Sequence, residues 1–198
     1  MKPFSQACDN NKDAILQVLI TAFASTKNVL EVGSGSGQHA VHFAKHLPHL
    51  HWHTADQTEY HTGINQWLAD ANLVNISKPI HLNVNDNPWH IPKHIESVFS
   101  ANTLHIMSWS SVQNFFKGIA KNLPNCTTLC VYGPFNYRGK YTSSSNQSFD
   151  QRLTQSSEYS AIRDFEAVNQ LAVEQGFTLS EDYQMPANNR LLYWQKPG

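Results

Sequence analysis

The residues best placed to do chemistry are an acid and three alternating glycines near the start of the chain. Glu31 precedes Gly33, Gly35 and Gly37 in the segment VLEVGSGSGQHA. The apolar residues before the glycines are typical of a buried strand, and those after them indicate a helix. Glycines leave the backbone bare, so that a ligand can lie against the free N–H groups at the start of the helix. This turn therefore predicts a site for a nucleotide-like cofactor.

The spacing of the glycines separates two classes of cofactor. A dinucleotide-binding turn follows Gly-x-Gly-x-x-Gly, and Gln38 stands where that pattern needs its third glycine. Gly-x-Gly-x-Gly after an acid instead resembles the turn of S-adenosylmethionine (SAM) methyltransferases. SAM has no phosphates, but its ammonium suits a carboxylate such as Glu31, and its own carboxylate suits backbone N–H groups. We therefore expect SAM, and a nicotinamide-dependent oxidoreductase is the alternative that Gln38 disfavours.

Length and composition favour one α/β domain, residues 1–198. The chain has 198 residues, of which 15% are charged, and its formal net charge is −1. This balance disfavours a nucleic-acid partner, which normally needs a basic surface stripe. We see no membrane-spanning run or secretory signal, so we expect no membrane partner. Three cysteines form no disulfide or zinc framework, and we expect a cytoplasmic protein with reduced thiols.

Strand and helix signals alternate along the chain, as a parallel sheet requires. We predict strands at 29–32, 50–55, 79–84, 95–101 and 127–132, and helices at 10–24, 37–47, 59–72 and 108–122. Asp9 is the expected cap of the first helix, and Ser108 that of the last. The polar run 141–148 indicates either a mobile lid or an exposed loop. The expected fold is α/β, doubly wound around a mostly parallel sheet.

The carboxyl ends of these strands bring further polar residues to one crevice. Asp56 ends the second strand, where an acid of a doubly wound fold reaches the ribose hydroxyls of a nucleoside. Asn102 ends the fourth strand and His105 follows it, and we name both as candidate catalytic residues, with Asn102 also facing the cofactor. His105 would be a general base, because imidazole accepts a proton near neutral pH. The alternative is that His105 packs under the cofactor or hydrogen-bonds to backbone.

Residues after the fifth strand are candidates for binding the methyl acceptor. Aromatic side chains interleaved with an arginine and an asparagine suit a small planar or carboxylated molecule, and the alternative is a surface loop with packing aromatics. The expected acceptor contacts are Tyr132, Asn136, Tyr137 and Arg138, joined by Asn189 before the last strand.

Histidines are frequent in this chain, with eleven in total. One trio, 39, 42 and 46, has helical spacing, and another, 49, 51 and 53, alternates as in a strand. Zinc sites usually add acids or cysteines to such sets, so we expect no metal site.

Six blocks of sequence resemble the DUF938 family. They are KPFSQACDNNKDAIL, VLEVGSGSGQHAVHFA, VFSANTLHIMSW, YGPFNYRGKYTSSSNQSFD, AIRDFEAVNQLA and MPANNRLLYW, and they run from Lys2 to Trp194. This family comprises class I SAM-dependent methyltransferase-like proteins and is related to the vertebrate methyltransferase-like protein 26. The resemblance implies a seven-stranded sheet with an antiparallel last strand at about 190–195. It also places Glu31, Gly33, Gly35 and Gly37 around the methionine part of SAM, and Asp56 on the ribose.

The resemblance leaves the adenine contact open between two residues. Relatives read Leu-Asp-Val after the third strand, whereas this chain reads Leu82-Asn83-Val84, so either Asn83 or Asp86 would meet the adenine. The segment around Asn102 and His105 lacks the Asn-Pro-Pro-Tyr signature of enzymes that methylate nucleic-acid bases and resembles the Asn-x-Leu-His element of small-molecule methyltransferases. The implied function is methylation of an unidentified small molecule. The alternative is a SAM-binding, non-catalytic module that works through protein partners.

Overall fold

A seven-stranded sheet forms the centre of the computed structural model, which describes residues 2–196. The strands lie in the order β3-β2-β1-β4-β5-β9-β8, and β9 runs antiparallel to both of its neighbours. The expected α/β fold, mostly parallel with an antiparallel last strand, is confirmed. The bounds of the seven strands are Asn28–Val32 (β1), His51–Asp56 (β2), Ile76–His81 (β3), Ser97–Ala101 (β4), Thr128–Gly133 (β5), Thr178–Met185 (β8) and Asn189–Gln195 (β9). Two short strands, Phe135–Asn136 (β6) and Arg163–Asp164 (β7), pair separately.

Helices cover both faces of the sheet, and each face has its own apolar cluster. Val29 and Leu30 are neighbours in β1 but belong to different clusters, because successive side chains of a strand point to opposite faces. No helix within residues 2–196 has the length and apolar character needed to cross a membrane. The helices are Gln6–Ala22 (α1), Gln38–His46 (α2), His61–Ala71 (α3), Trp109–Asn122 (α4), Ser144–Ser156 (α5) and Phe165–Glu174 (α6), with 3₁₀ turns at Thr58–Tyr60 and Pro186–Asn188.

One of the two expected helix caps is confirmed and the other is not. Ser108 caps α4 as expected, accepting a hydrogen bond from the Ser111 N–H at 3.1 Å. The prediction of Asp9 as the cap of α1 was wrong, since the helix begins earlier and Ser5 caps it by accepting from the Cys8 N–H. Asp9 lies in the first turn instead, where its negative charge favours the helix dipole.

Two further segments differ from the expectation. The third strand begins at Ile76, not at Pro79, because β3 is an edge strand and Pro79 sits at a register shift against β2. An edge position or a bulge tolerates proline, which cannot donate a ladder hydrogen bond. The run 141–148, expected to be a lid or loop, contains the start of α5 at Ser144, capped by Ser143.

Candidate functional site

A large cavity opens along the carboxyl edge of the sheet. Its volume is about 1420 Å³, and its wall extends from the segment after β3 to the connection between β8 and β9. Strands β3 and β9 are five strand spacings apart, which is roughly 24 Å. The cavity therefore runs across several strand ends and is long enough for two small molecules to bind side by side along the edge of the sheet.

The three glycines of the turn after β1 have different surroundings. A Cβ added to Gly33 would stand 2.7 Å from the Thr103 hydroxyl, so this position requires close packing against the loop after β4. A Cβ on Gly35 would meet no protein atom within 4 Å, and Gly35 lines the cavity. A Cβ on Gly37 would stand 3.1 Å from the Ile64 Cα, so Gly37 allows α2 to approach α3. The sequence placed all three against a ligand, whereas only Gly33 and Gly35 are on the cavity wall.

Asp56 lines the cavity beside this turn. Its Oδ2 accepts a hydrogen bond from the Gly35 N–H at 2.7 Å, and its Oδ1 accepts from the Gln57 N–H at 2.8 Å. Burial raises the pKa of the carboxyl, while these two N–H groups lower it. A carboxylate has further lone pairs for ligand hydroxyls, so the position fits the expected ribose contact. Glu59, which the sequence analysis missed, also lines the cavity, and its only sequence signal is its place shortly after Asp56.

Glu31 lies behind the turn and is not among the residues of the cavity wall. The side chain is buried, and its Oε2 accepts a hydrogen bond from the Trp52 indole N–H at 3.2 Å. Burial raises the pKa of Glu31 to about 8, so the carboxyl is mostly protonated at pH 7. Its expected role as an anionic partner for the SAM ammonium stays a prediction. That role requires a lower pKa, which a cation close to the carboxyl would produce.

The two candidates for the adenine contact are separated by the structure. Asn83 lines the cavity, and its Oδ1 accepts a hydrogen bond from the Asn85 N–H at 3.0 Å. Asp86 lies outside, 3.7 Å from the His81 ring nitrogen, on a separate pocket of about 260 Å³. Of the two, Asn83 lies on the wall of this cavity and Asp86 does not, and the adenine contact itself stays a prediction.

Asn102 and His105 reach the cavity from the loop after β4. Asn102 has a positive φ of 57°, and its N–H donates to the Tyr132 carbonyl at 2.8 Å. The His105 ring is nearly buried and lies 5.4 Å, centroid to centroid, from Phe149. Burial, and next the positive charge of Arg163, lower the pKa of His105 to about 4. The ring is therefore neutral at pH 7 and able to accept a proton, although its basicity is low.

Arg163 fixes the loop that holds His105. Its guanidinium donates hydrogen bonds to the carbonyls of Leu104 and Met107, on either side of the histidine. A third hydrogen bond, of 2.7 Å, goes to the Tyr159 carbonyl. Nothing local to residue 163 shows that its side chain faces a loop about sixty residues earlier.

Of the expected acceptor contacts, one lies on the cavity and four do not. Asn189 lines it and donates to the buried Tyr132 hydroxyl at 2.9 Å, which places Tyr132 behind Asn189. The Tyr137 hydroxyl donates to Asp182 at 2.7 Å, and its ring stacks on Phe165. Both contacts draw the residues after β5 away from the cavity.

Asn136 and Arg138 also lie off the cavity wall. The Asn136 Oδ1 is buried without a hydrogen-bond partner among the described residues, and it does not line the cavity. Arg138 is exposed, with its backbone N–H donating to Glu166. Acceptor contacts by Tyr132, Asn136, Tyr137 and Arg138 would need a rearrangement of this segment.

Helix α5 forms the wall at this end of the cavity, and the sequence analysis missed it. Its lining residues recur with helical spacing, which is the one signal that could have revealed the face. They are Ser145, Asn146, Phe149 and Arg152.

The residues before and in the first turn of α1 complete the wall beside the glycine turn. Trp67 donates its indole N–H to the Pro3 carbonyl at 2.7 Å, and Lys2 pairs with Asp70 at 2.6 Å. The Gln38 side chain exchanges two hydrogen bonds with the Ser5 backbone. Gln38, which disfavoured a dinucleotide turn, thus joins the start of the chain to the glycine turn.

The comparison with known families assigns the chain. Residues 2–196 match the family described as "Protein of unknown function (DUF938)". The chain belongs to the DUF938 family. This confirms the family resemblance that the six sequence blocks indicated.

Solved methyltransferase structures share the fold of this DUF938 protein. It superposes on the SAM-dependent methyltransferase SibL in its apo form with a TM-score of 0.80 at 18% identity, covering 97% of this chain and 56% of SibL. It superposes on an O-methyltransferase family 2 protein from Planctomyces limnophilus, in complex with apigenin, with a TM-score of 0.82 at 13% identity, covering 95% and 57%. A dimethyltransferase, RosA from Streptomyces davawensis, gives 0.78 at 13% identity, covering 97% and 55%. The chain thus spans little more than half the length of these proteins, and the likeness establishes the fold.

The histidines of the DUF938 protein make contacts within the chain. His39 pairs with Asn11 at 2.6 Å, His51 with Ser77 at 2.6 Å, and His46 with the carbonyl of His42. Among residues 2–196, no group of three or more His, Cys, Asp or Glu side chains is arranged to hold a metal ion.

Proposed function

We propose that this DUF938 protein is a SAM-dependent methyltransferase whose acceptor is a small molecule. The observation that carries the proposal is the turn at Gly35, which exposes bare backbone to a large cavity beside the Asp56 carboxylate. The cavity lies outside the carboxyl ends of the strands, where ligands of open α/β sheets bind. Its volume exceeds the range of about 300–1,000 Å³ usual for one small ligand, which leaves room for an acceptor beside the cofactor.

The chain offers a partner for each part of SAM. Gly33 and Gly35 would contact the methionine part, Asp56 the ribose hydroxyls and Asn83 the edge of the adenine. Asn102 would lie between the methionine part and the acceptor, because β4 follows β1 in the sheet order. Glu31 and Gly37 would act from behind, through the geometry of the turn and of α2, and Asp86 is no longer needed for the adenine.

Bound there, SAM would supply a methyl group on a sulfonium. A lone pair on an acceptor oxygen or nitrogen would form the new bond to the methyl carbon, while the sulfur–carbon bond would break with its electron pair kept by sulfur. The acceptor's proton would go to His105 or to water. Because this is an in-line displacement, holding the acceptor in line supplies much of the rate, and His105 contributes as a base or as part of the wall.

The names of the similar structures support a small acceptor. They include a mitomycin 7-O-methyltransferase and an N,N-8-amino-8-demethyl-D-riboflavin dimethyltransferase, and one structure is a complex with apigenin. The net charge of −1 gives no basic stripe for a nucleic acid. The single domain over residues 1–198, the cytoplasmic location and the relation to methyltransferase-like protein 26 stay predictions.

Calorimetry with SAM, S-adenosylhomocysteine and NAD tests the cofactor. We expect micromolar binding of the two sulfur ligands and none of NAD. Binding of neither sulfur ligand would overturn the proposal. Turnover of labelled SAM against a metabolite pool then tests catalysis, and binding with a persistent absence of product would favour the non-catalytic module instead.

A further inference from the structure

The end of the cavity away from Asp56 combines apolar surface with one cation. Phe149 is half-buried on its wall, and Ile106 stands there with 55% of its surface exposed. Arg152 lies one turn beyond Phe149 on α5, with its guanidinium carbon 6.0 Å from the phenyl centroid. An exposed aliphatic side chain and a phenyl ring on the wall of one cavity favour a flat, apolar ligand.

Helix α5 presents this face from a fixed position. The Asp150 carboxylate, which follows Phe149 in the helix, accepts hydrogen bonds from the Ile162 N–H at 2.6 Å and the Tyr141 hydroxyl at 2.8 Å. Asn146 donates to the Asn188 carbonyl at 3.1 Å and so ties the helix to the connection between β8 and β9. The orientation of Phe149 and Arg152 toward the cavity follows from these contacts.

Among residues 2–196, Arg152 has no charged partner. It is the one lysine or arginine among the residues described as lining the cavity. No Asp or Glu among residues 2–196 lies within ion-pair distance of it. The acids of the wall, Asp56 and Glu59, belong to the other end of the cavity, several strand spacings away. The cavity is therefore acidic at its cofactor end and basic at the end formed by α5.

We propose that the methyl acceptor is a small planar molecule bearing a carboxylate, which Arg152 binds while the ring of the acceptor packs on Phe149. The guanidinium fork matches a carboxylate with two parallel hydrogen bonds, and it orients a rigid ring more strictly than a lysine would. His105 contacts the same phenyl ring, so an acceptor lying on Phe149 directs its far edge toward the histidine. This inference rests on the proposed methyltransferase function and adds the class of acceptor to it.

Matched acids and amides test the inference by ligand-observed NMR. The probes are 4-hydroxybenzoate with 4-hydroxybenzamide, and 3-hydroxy-2-naphthoate with its amide, each measured with and without S-adenosylhomocysteine. We expect both acids to bind the wild-type protein, and each amide to bind roughly tenfold more weakly because it lacks the charge that meets Arg152. Arg152→Gln should lower the affinity for the acids by a similar factor and leave that for the amides unchanged, while Arg152→Lys should lie between.

Lys140→Gln is the matched control, because it also removes one positive charge from an exposed position but lies off the cavity wall. It should bind the acids as the wild type does. The inference fails if neither acid binds, if amides bind as tightly as acids, or if Arg152→Gln and Lys140→Gln behave alike. Failure of the proposed function would be seen separately, as loss of S-adenosylhomocysteine binding in the same samples.

Discussion

Replacing Gly35 and Gly37 by alanine, one at a time, separates ligand binding from packing in the glycine turn. Both residues have positive φ, 56° and 87°, where a Cβ costs about 1–2 kcal/mol. At Gly35 the methyl group meets no protein atom, so this strain is the whole cost. At Gly37 the methyl group also presses on the Ile64 backbone, which adds about 1–3 kcal/mol. The free energy of unfolding should fall by about 1–2 kcal/mol for Gly35→Ala and about 2–5 kcal/mol for Gly37→Ala.

Thermal unfolding followed by circular dichroism measures the loss of stability. For a chain of this size, 1 kcal/mol shifts Tm by about 2–4 °C, so Tm should fall by about 2–8 °C for Gly35→Ala and about 4–20 °C for Gly37→Ala. Calorimetry with S-adenosylhomocysteine measures the change in ligand affinity. The methyl group at Gly35 would crowd the ligand and weaken binding by about 5- to 150-fold, the equivalent of about 1–3 kcal/mol. Wild-type affinity in Gly35→Ala, or equal stability of the two variants, would refute this reasoning.

Three further predictions concern ionisable groups. Asp56→Asn should weaken the binding of S-adenosylhomocysteine by about 1–3 kcal/mol in calorimetry, and unchanged affinity would show that Asp56 does not contact the ligand. Because burial raises the pKa of Glu31 from 4.5 to about 8, the unfolded chain releases this proton first, and the free energy of unfolding should fall as pH rises from 4.5 to 8. In urea unfolding, the free energy of unfolding of Glu31→Gln should fall less over this pH range than that of the wild type. Identical pH profiles for the two proteins would contradict the prediction. Because burial and Arg163 lower the pKa of His105 to about 4, NMR should find the ring neutral down to pH 5, and a midpoint near 6.5 would show the pocket to be open to water.

The sequence predicts the fold where apolar runs end at turn residues. Val29–Val32 and its glycine turn could be placed within a residue, since a buried strand and a bare turn each have a strong local signal. The third strand could not, because the tolerance of Pro79 depends on its edge position, which only the assembled sheet defines. Helix α5 was missed because it covers a cavity rather than the core, so it lacks the apolar stripe by which helices are recognised.

The candidate site divides in the same way. The end proposed to bind the cofactor is formed by strand ends that the topology brings together, so Asp56 and Asn102 were placed on the cavity from sequence. The end proposed to bind the acceptor depends on contacts between distant segments. The hydrogen bond from Tyr137 to Asp182 turns the chain after β5 away from the cavity, and Arg152 takes the position that the sequence had suggested for Arg138.

Both ends of the chain contribute to one cavity wall, from Pro3 to Asn189. A bound molecule would therefore act as a non-covalent cross-link between the start of α1 and the connection between β8 and β9. By mass action, a ligand at one hundred times its dissociation constant adds about 2.7 kcal/mol to the stability of the whole chain. Fraying of α1 and opening of the β8–β9 connection would then become coupled events, and amide protons in both should slow their exchange together when the cavity is filled.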